Sequence, residues 1–207
     1  MWMYVLLLSG LNLIGFPSCL TVLSARGKLL AIMNLAFFGC VFVVVFASEF
    51  LLPPQPYLDA HPSFPRMLFD DNFFIMFFGM FLFNLVLSAF IVVTLPGFVF
   101  FPLSSAFLLY RAFVWGLLLR CQPTWIFIVA LPTLVFEGEG YVFAAVAGTV
   151  VGASWVKPKW LYSDGSFTRV EALEKASREC LRVYVFVFFF LLVAAVVETL
   201  TIFSWGF

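Results

Sequence analysis

The chain has 207 residues, of which 64% are hydrophobic, 30 are Phe and only 11% are charged. Soluble domains are about half apolar and about a quarter charged, so a chain of this size could not shield so much apolar surface from water. Eleven basic and eleven acidic residues give a formal net charge of zero. This balance excludes a nucleic-acid binder, which needs a basic face. The composition therefore predicts an integral membrane protein whose solvent is the lipid bilayer.

Six stretches are apolar over the roughly 20 residues that a helix needs to cross the hydrocarbon core. The predicted spans are 2–24, 29–52, 73–94, 98–119, 124–152 and 183–204. The first has no Lys or Arg before its apolar run and no small-residue cleavage site, so we interpret it as a retained span. The ten-residue alternation of a transmembrane β-barrel is absent from the sequence. We therefore predict an all-α, polytopic transmembrane helical bundle that forms one domain over 1–207.

Two connections in this bundle carry recognisable signals. Pro96 and Gly97 indicate a turn between the third and fourth spans. The fifth span contains Pro132 and two glycines that alternate with glutamates, Glu137-Gly138-Glu139-Gly140. Because proline and glycine interrupt helices, we predict that this span is broken near 132–140 or consists of two half-helices.

The basic residues are distributed unevenly between the predicted loops. Eight of the eleven fall between spans one and two or between spans five and six: Arg26, Lys28, Lys157, Lys159, Arg169, Lys175, Arg178 and Arg182. Lys and Arg accumulate on the cytoplasmic side of membranes. We therefore expect a multi-pass plasma-membrane protein with loop 153–182 inside and with loop 53–72 and both termini outside.

The predicted cytoplasmic loop contains a helix signal of its own. Thr168 and Glu171 fit a capping box, in which each side chain binds the other residue's backbone N–H. This predicts an interfacial helix over about 169–182. The helix either leads into the sixth span or provides a docking site for a cytoplasmic partner.

Four ionisable residues lie deep inside predicted spans, where a charge costs a few kcal/mol even on the mildest scale. They are Arg111, Glu137, Glu139 and Glu198. At about 1.5 Å per residue, the depths of Arg111, Glu137 and Glu198 are similar enough for a long Arg side chain to bridge them. We predict a buried ion pair or network in which Arg111 faces Glu137 and Glu198. Such a network either fixes helix packing or forms a substrate or proton path.

A ladder of small residues recurs at every fourth position of the fifth span. Its members are Gly140, Ala144, Gly148 and Gly152. Small residues at this spacing allow another helix to approach closely. The ladder therefore predicts a packing seam, either against a helix of the same chain or in a homodimer.

Signals for catalysis and cofactor binding are missing from the sequence. The single His61 has no second His to share a metal, and the four Cys form no C-x-x-C pair. No P-loop, G-x-G-x-x-G or G-x-S-x-G motif is present. We therefore expect no catalytic residues, no metal, no cofactor and no enzymatic activity.

Three short motifs within 82–152 and 170–202 resemble the stage II sporulation protein M family. Asn84 lies in the first motif. The segment 132–137 is similar to the family's Pro-His-Gly-x-x-Glu pattern, although Thr and Leu replace the His and Gly, and 194–198 is similar to its closing span. The resemblance implies these family-motif positions: Asn84, Pro132, Thr133, Glu137 and Glu198.

The resemblance also implies a multi-span helical membrane protein that acts as a scaffold. The leading hypothesis is therefore a non-enzymatic assembly subunit, which contacts the lipid bilayer and either a second copy of itself or other membrane proteins. One alternative is a transporter or permease subunit with a mid-membrane site around Glu137 and Glu139. Another is an accessory structural subunit of a larger membrane complex.

Overall fold

A computed structural model describes residues 16–51, 72–120, 124–162 and 167–205. Within these ranges the elements are α1 (Phe16–Ala25), α2 (Gly27–Leu51), α3 (Phe73–Val99), α4 (Pro102–Arg120), α5 (Thr124–Val156), α6 (Pro158–Leu161) and α7 (Arg169–Trp205). Five of them, α2 to α5 and α7, are long and apolar enough to cross a membrane. The predicted all-α, polytopic architecture is thus confirmed. The first predicted span falls mostly on 1–15, and loop 53–72 falls on undescribed positions apart from its last residue.

The α5 helix lies at the centre of the bundle. It packs most extensively against α7 and also contacts α2, α3, α4 and α6. Seven consecutive residues, from Tyr141 to Ala147, are buried, which requires neighbours on every side of the helix. By contrast, one side of α2 exposes Leu35, Phe46 and Phe50. This apolar face is suited to lipid rather than to water.

The start of α2, the ends of α3 and α5 and the start of α7 meet at one end of the bundle, which we call the basic end. Trp155 donates its indole N–H to the carbonyl of Phe98 at 2.8 Å. Arg26 pairs with Glu179 at 2.9 Å, and the Tyr162 hydroxyl donates to the same carboxylate at 3.1 Å. Burial and the Glu179 charge raise the pKa of Tyr162, so its phenol remains a donor. The loops predicted to be cytoplasmic therefore lie together.

The α3 helix is continuous through the predicted turn, so the prediction of a turn at Pro96 and Gly97 is wrong. Its middle section, Phe83–Thr94, is wound as a π-helix, and Leu95–Val99 continues as α-helix until the chain turns at Phe100. A π-helix pairs each carbonyl with the N–H five residues on, and the N–H of Leu95 binds the carbonyl of Phe90 in this way. Gly97 is buried at a helix crossing, where a Cβ would press against Ser104 and the backbone of Gly148, so close packing explains this glycine without a turn.

The prediction of a broken fifth span is also wrong, because α5 is one unbroken helix with Pro132 inside it. A break in the hydrocarbon region would leave several backbone groups without partners, whereas Pro132 removes only one donor. The two glycines serve close packing. A Cβ on Gly138 would press against the ring of Phe37, and one on Gly140 would press against Leu191.

The predicted interfacial helix 169–182 is not a separate element. It is the first part of α7, which runs without interruption for 37 residues. The segment contains no Gly or Pro, so nothing ends the helix before the membrane. At about 1.5 Å per residue α7 is roughly 55 Å long, well beyond the hydrocarbon core of about 30 Å. The predicted capping box is confirmed, since the Thr168 N–H donates to Glu171 at 2.8 Å and the Glu171 N–H donates to Thr168 Oγ1 at 3.4 Å.

The small-residue ladder packs inside the chain. Gly140 faces α7, while Gly148 and Gly152 face the α3–α4 corner, where added Cβ atoms would overlap with the carbonyl oxygens of Thr94 and Gly97. Ala144 is fully buried, and its carbonyl accepts a hydrogen bond from Thr94 Oγ1 at 3.0 Å. The ladder is therefore covered by the chain's own helices, which is the first of the two predicted arrangements.

Candidate functional site

The most unusual feature of the membrane-embedded part is a buried group of polar side chains, which we call the polar cluster. Its members are Asn84 on α3, Arg111 and Trp115 on α4, and Glu137 and Tyr141 on α5. Arg111 lies ten residues after Phe101, which packs against Gly152 at the basic end. Ten residues rise about 15 Å, which is half of a hydrocarbon core of about 30 Å. The polar cluster therefore lies near the middle of the membrane.

An ion pair forms the centre of the polar cluster. Arg111 Nη2 lies 3.2 Å from Glu137 Oε1, and the Glu137 side chain is only 4% exposed. The same guanidinium nitrogen donates to the Tyr141 hydroxyl at 2.5 Å, and the guanidinium carbon lies 4.7 Å from the centre of the Tyr141 ring. Tyr141 in turn donates its proton to Glu137. Each of the three groups therefore contacts the other two.

Local helix geometry explains why these side chains meet. Glu137 and Tyr141 are four residues apart on α5, so they project from the same face. Arg111 has exposed neighbours, Tyr110 and Phe113, whereas Ala112 beside it is fully buried. The Arg111 side chain therefore leaves α4 at the edge of the lipid-facing surface and reaches inward to the carboxylate.

Two further groups complete the surroundings of Glu137 and Tyr141. The side-chain oxygen of Asn84 lies 3.1 Å from the Tyr141 hydroxyl, and the indole of Trp115 is a hydrogen-bond partner of Glu137. Asn84 reaches Tyr141 from the π-helical section of α3, whose buried side chains include Asn84, Ser88, Ala89, Val93 and Thr94. The buried positions recur every four to five residues along the helix, as expected from the wider turn of a π-helix. The π-helical section thus aligns polar side chains along α5.

These contacts offset the cost of placing charge in lipid. An isolated ion in a low-dielectric medium costs several kcal/mol, and an ion pair recovers this only with good geometry and further hydrogen bonds. Glu137 has a guanidinium, a phenol and an indole as partners. The one buried atom of the polar cluster without a partner is Arg111 Nε. The Glu137 carboxylate joins α4 to α5, and the Tyr141 hydroxyl adds α3 through Asn84.

The other predicted charged residues have different positions. Glu198 on α7 is half-buried and lies within electrostatic range of Glu137, but no ion pair joins it to Arg111. Glu139 projects from another side of α5, where its side chain is hydrogen-bonded to Asn34 on α2. The structure therefore brings Arg111 and Glu137 together, places Glu198 beside them and separates Glu139 from the network.

The family-motif positions converge on the same region, with one exception. Thr133 is buried one turn before Glu137, and Asn84 and Glu198 approach from α3 and α7, whereas Pro132 is exposed. Sequence reasoning missed Tyr141 and Trp115. Tyr141 could have been found from its position four residues after Glu137, whereas the contact of Trp115 depends on how α4 packs. Among the described residues, no three His, Cys, Asp or Glu side chains are grouped to hold a metal.

The fold and the polar cluster together define a polytopic α-helical membrane protein with a buried charge pair joining its helices. Residues 32–201, most of the chain, match the family described as stage II sporulation protein M. The chain belongs to this family, as its sequence motifs indicated. Searches of curated proteins and of solved structures found no match.

Proposed function

We propose that the protein is a non-enzymatic assembly subunit of a plasma-membrane complex, which binds its partner through the part of α7 beyond the membrane. The observation that carries the proposal is a row of four exposed side chains on this extension, of which all but one serine are apolar. We call it the docking stripe: Val170, Leu173, Ser177 and Leu181. Val170 is 75% exposed and Leu181 is 63% exposed.

The docking stripe lies where lipid cannot cover all of it. Residues 169–182 include seven charged side chains, whereas 183–205 contain only Glu198. The length of α7 also exceeds the hydrocarbon core. The opposite face of the extension is occupied within the chain, since Ala172 and Ala176 are fully buried. Exposed apolar side chains at positions i, i+3 and i+11 form a row that suits a partner helix or groove.

The polar cluster supports an assembly role through rigidity. It joins three helices by a charge-assisted network, so the bundle presents the α7 extension in a fixed position. The alternative of a transporter subunit rested on half-helices around Glu137 and Glu139. The unbroken α5 helix and the different directions of these two side chains remove that motivation.

The proposal is tested by photo-cross-linking in membranes of the native host. A photoreactive amino acid is placed at Leu173 in the docking stripe, and a matched control places it at the neighbouring Glu174. Adjacent side chains on a helix point about 100° apart. We expect a defined adduct, either with another membrane-associated protein or with a second copy of the chain, from position 173 and not from 174.

A second variant shows whether the apolar contact matters. Leu173→Ser with a cross-linker at Val170 should lose most of the adduct, although the exposed position leaves the fold intact. Uncross-linked monomers at both stripe positions, or equal adducts at 173 and 174, would contradict a specific docking surface.

A further inference from the structure

An apolar groove of about 500 Å³ lies on the outer surface of the bundle between the π-helical section of α3 and α7. Its walls are Leu85, Val86 and Phe90 on α3 and Leu181, Tyr184, Val185 and Phe188 on α7. The Tyr184 hydroxyl donates to Thr94 Oγ1 at 2.6 Å, so the polar end of this side chain points away from the groove and is satisfied. The groove is therefore lined by hydrocarbon along its length.

The groove lies within the membrane leaflet at the basic end. Thr94 is five residues, or about 8 Å, before the end of α3. That end lies beside Trp155 and close to Trp160, both of which are exposed. Tryptophan concentrates at the level of lipid headgroups. From this level the groove extends towards the membrane centre along α7.

Two arginines lie on the headgroup side of the groove. Arg178 precedes Leu181 by three residues, and Arg182 precedes Val185 by three, so each is next to a groove-lining side chain on the helix surface. Helical side chains lean towards the N-terminus, which on α7 is the direction out of the membrane. We infer from this lean that both guanidinium groups lie towards the level of the lipid phosphates.

We propose that the groove and its arginine rim form a binding site for an anionic phospholipid. One acyl chain lies in the groove, and the phosphate accepts hydrogen bonds from Arg178 and Arg182. The lipid site does not require the docking stripe to have a protein partner, but the two surfaces share Leu181, which is the last residue of the stripe and also lines the groove.

Charge complementarity favours an anionic lipid over a zwitterionic one. Arg178 contacts Glu174 at 2.6 Å, but both side chains are more than half exposed, and exposed pairs of this kind contribute little. The contact uses Nη2 alone, whereas a guanidinium carries five N–H donors and binds phosphate through two at once. A neutral glycerol headgroup leaves the negative charge of the phosphate uncompensated, whereas the quaternary ammonium of a choline headgroup cancels it and repels the basic end.

The test uses the full chain in detergent, titrated with phosphatidylglycerol or phosphatidylcholine of identical acyl chains and observed by native mass spectrometry. We expect phosphatidylglycerol to bind about tenfold more tightly or better, since two basic residues near an anionic lipid each contribute roughly fivefold. Arg178→Gln combined with Arg182→Gln should remove this preference. Lys28→Gln combined with Lys159→Gln, which changes two exposed basic residues at the same end, should retain it.

A second pair of variants tests the groove itself. Val86→Phe fills the groove from a half-exposed position and should lower the binding of both lipids several-fold, whereas Val43→Phe on the lipid-facing side of α2 should leave binding unchanged. Equal binding of the two lipids by the native chain, or an unchanged preference after loss of both arginines, would overturn the proposal. A photo-cross-linker at Val86 that captures a protein helix instead of lipid would overturn it as well.

Discussion

Replacing Glu137 by Gln is the most direct perturbation of the polar cluster. The amide has nearly the same shape as the carboxyl and still accepts a hydrogen bond from Tyr141. It leaves the Arg111 guanidinium without a counter-charge at mid-membrane depth. Breaking a buried ion pair from one side costs about 3–5 kcal/mol. Because the Arg111 side chain is 22% exposed, we expect a value near the lower limit, about 3 kcal/mol.

The matched variants are Arg111→Gln and the double variant with both substitutions. Arg111→Gln leaves Glu137 with only neutral donors in a setting that is 4% exposed, so we expect a loss of similar size. The double variant removes both charges together. Its loss of unfolding free energy should be about 2 kcal/mol smaller than the sum of the two single losses. This difference is within the range measured for residues in one network.

The assay is reversible unfolding of the purified chain in mixed micelles as the fraction of denaturing detergent increases. The free energy of unfolding is compared for the native chain, the two single variants and the double variant. Tyr141→Phe serves as a further probe and should cost about 1.5–3 kcal/mol, the usual range for a hydrogen bond to a charged group. Single losses below about 1 kcal/mol, or losses that simply add in the double variant, would refute the inference that the pair holds the bundle together.

Three further predictions concern packing and helix ends. Gly152→Ala should prevent correct assembly of the bundle, because the new Cβ would overlap with a carbonyl oxygen of α3. Gly39→Ala, which has open space around it, should purify as a stable monodisperse protein. Equal yields of the two variants in size-exclusion chromatography would contradict the close crossing of α3 and α5 at Gly152. Glu179→Arg should destabilise the basic end, and combining it with Arg26→Glu should restore much of the thermal stability; the absence of any rescue would show that the pair is dispensable. Thr168→Ala should lower the stability of the α7 N-terminus by about 1 kcal/mol through loss of the helix cap. The measurement is hydrogen exchange in the first turn of α7, which should become faster. Unchanged exchange there would argue against the cap.

Several features follow from local sequence information. Hydropathy over about 20 residues located the spans that correspond to α2 to α5 and α7, because a lipid-exposed helix must be apolar along its length. The capping box at Thr168 and Glu171 was found because both partners lie within one turn. The pairing of Arg111 with Glu137 followed from depth alone, since a charge in lipid has few available partners.

Other features depended on how helices pack against one another. The continuity of α5 through Pro132 and of α3 through Pro96 could not be read from residue propensities, because surrounding helices and the surrounding lipid penalise a break more than the propensity favours it. The role of the glycine ladder depended on which helix crosses it, and α3, α4 and α7 occupy positions that a second copy could also have filled.

The sequence by itself thus determined the solvent and the helical class of this protein through composition and hydropathy, its family through short motifs, and the charge pair at its centre through the depth of two charges in their spans. Only the tertiary structure decided that Trp115 and Asn84 reach the Glu137–Tyr141 face of α5 and that Glu139 faces elsewhere. Those contacts join residues up to 57 positions apart, and their geometry is set by helix rotation and crossing, which no single segment encodes.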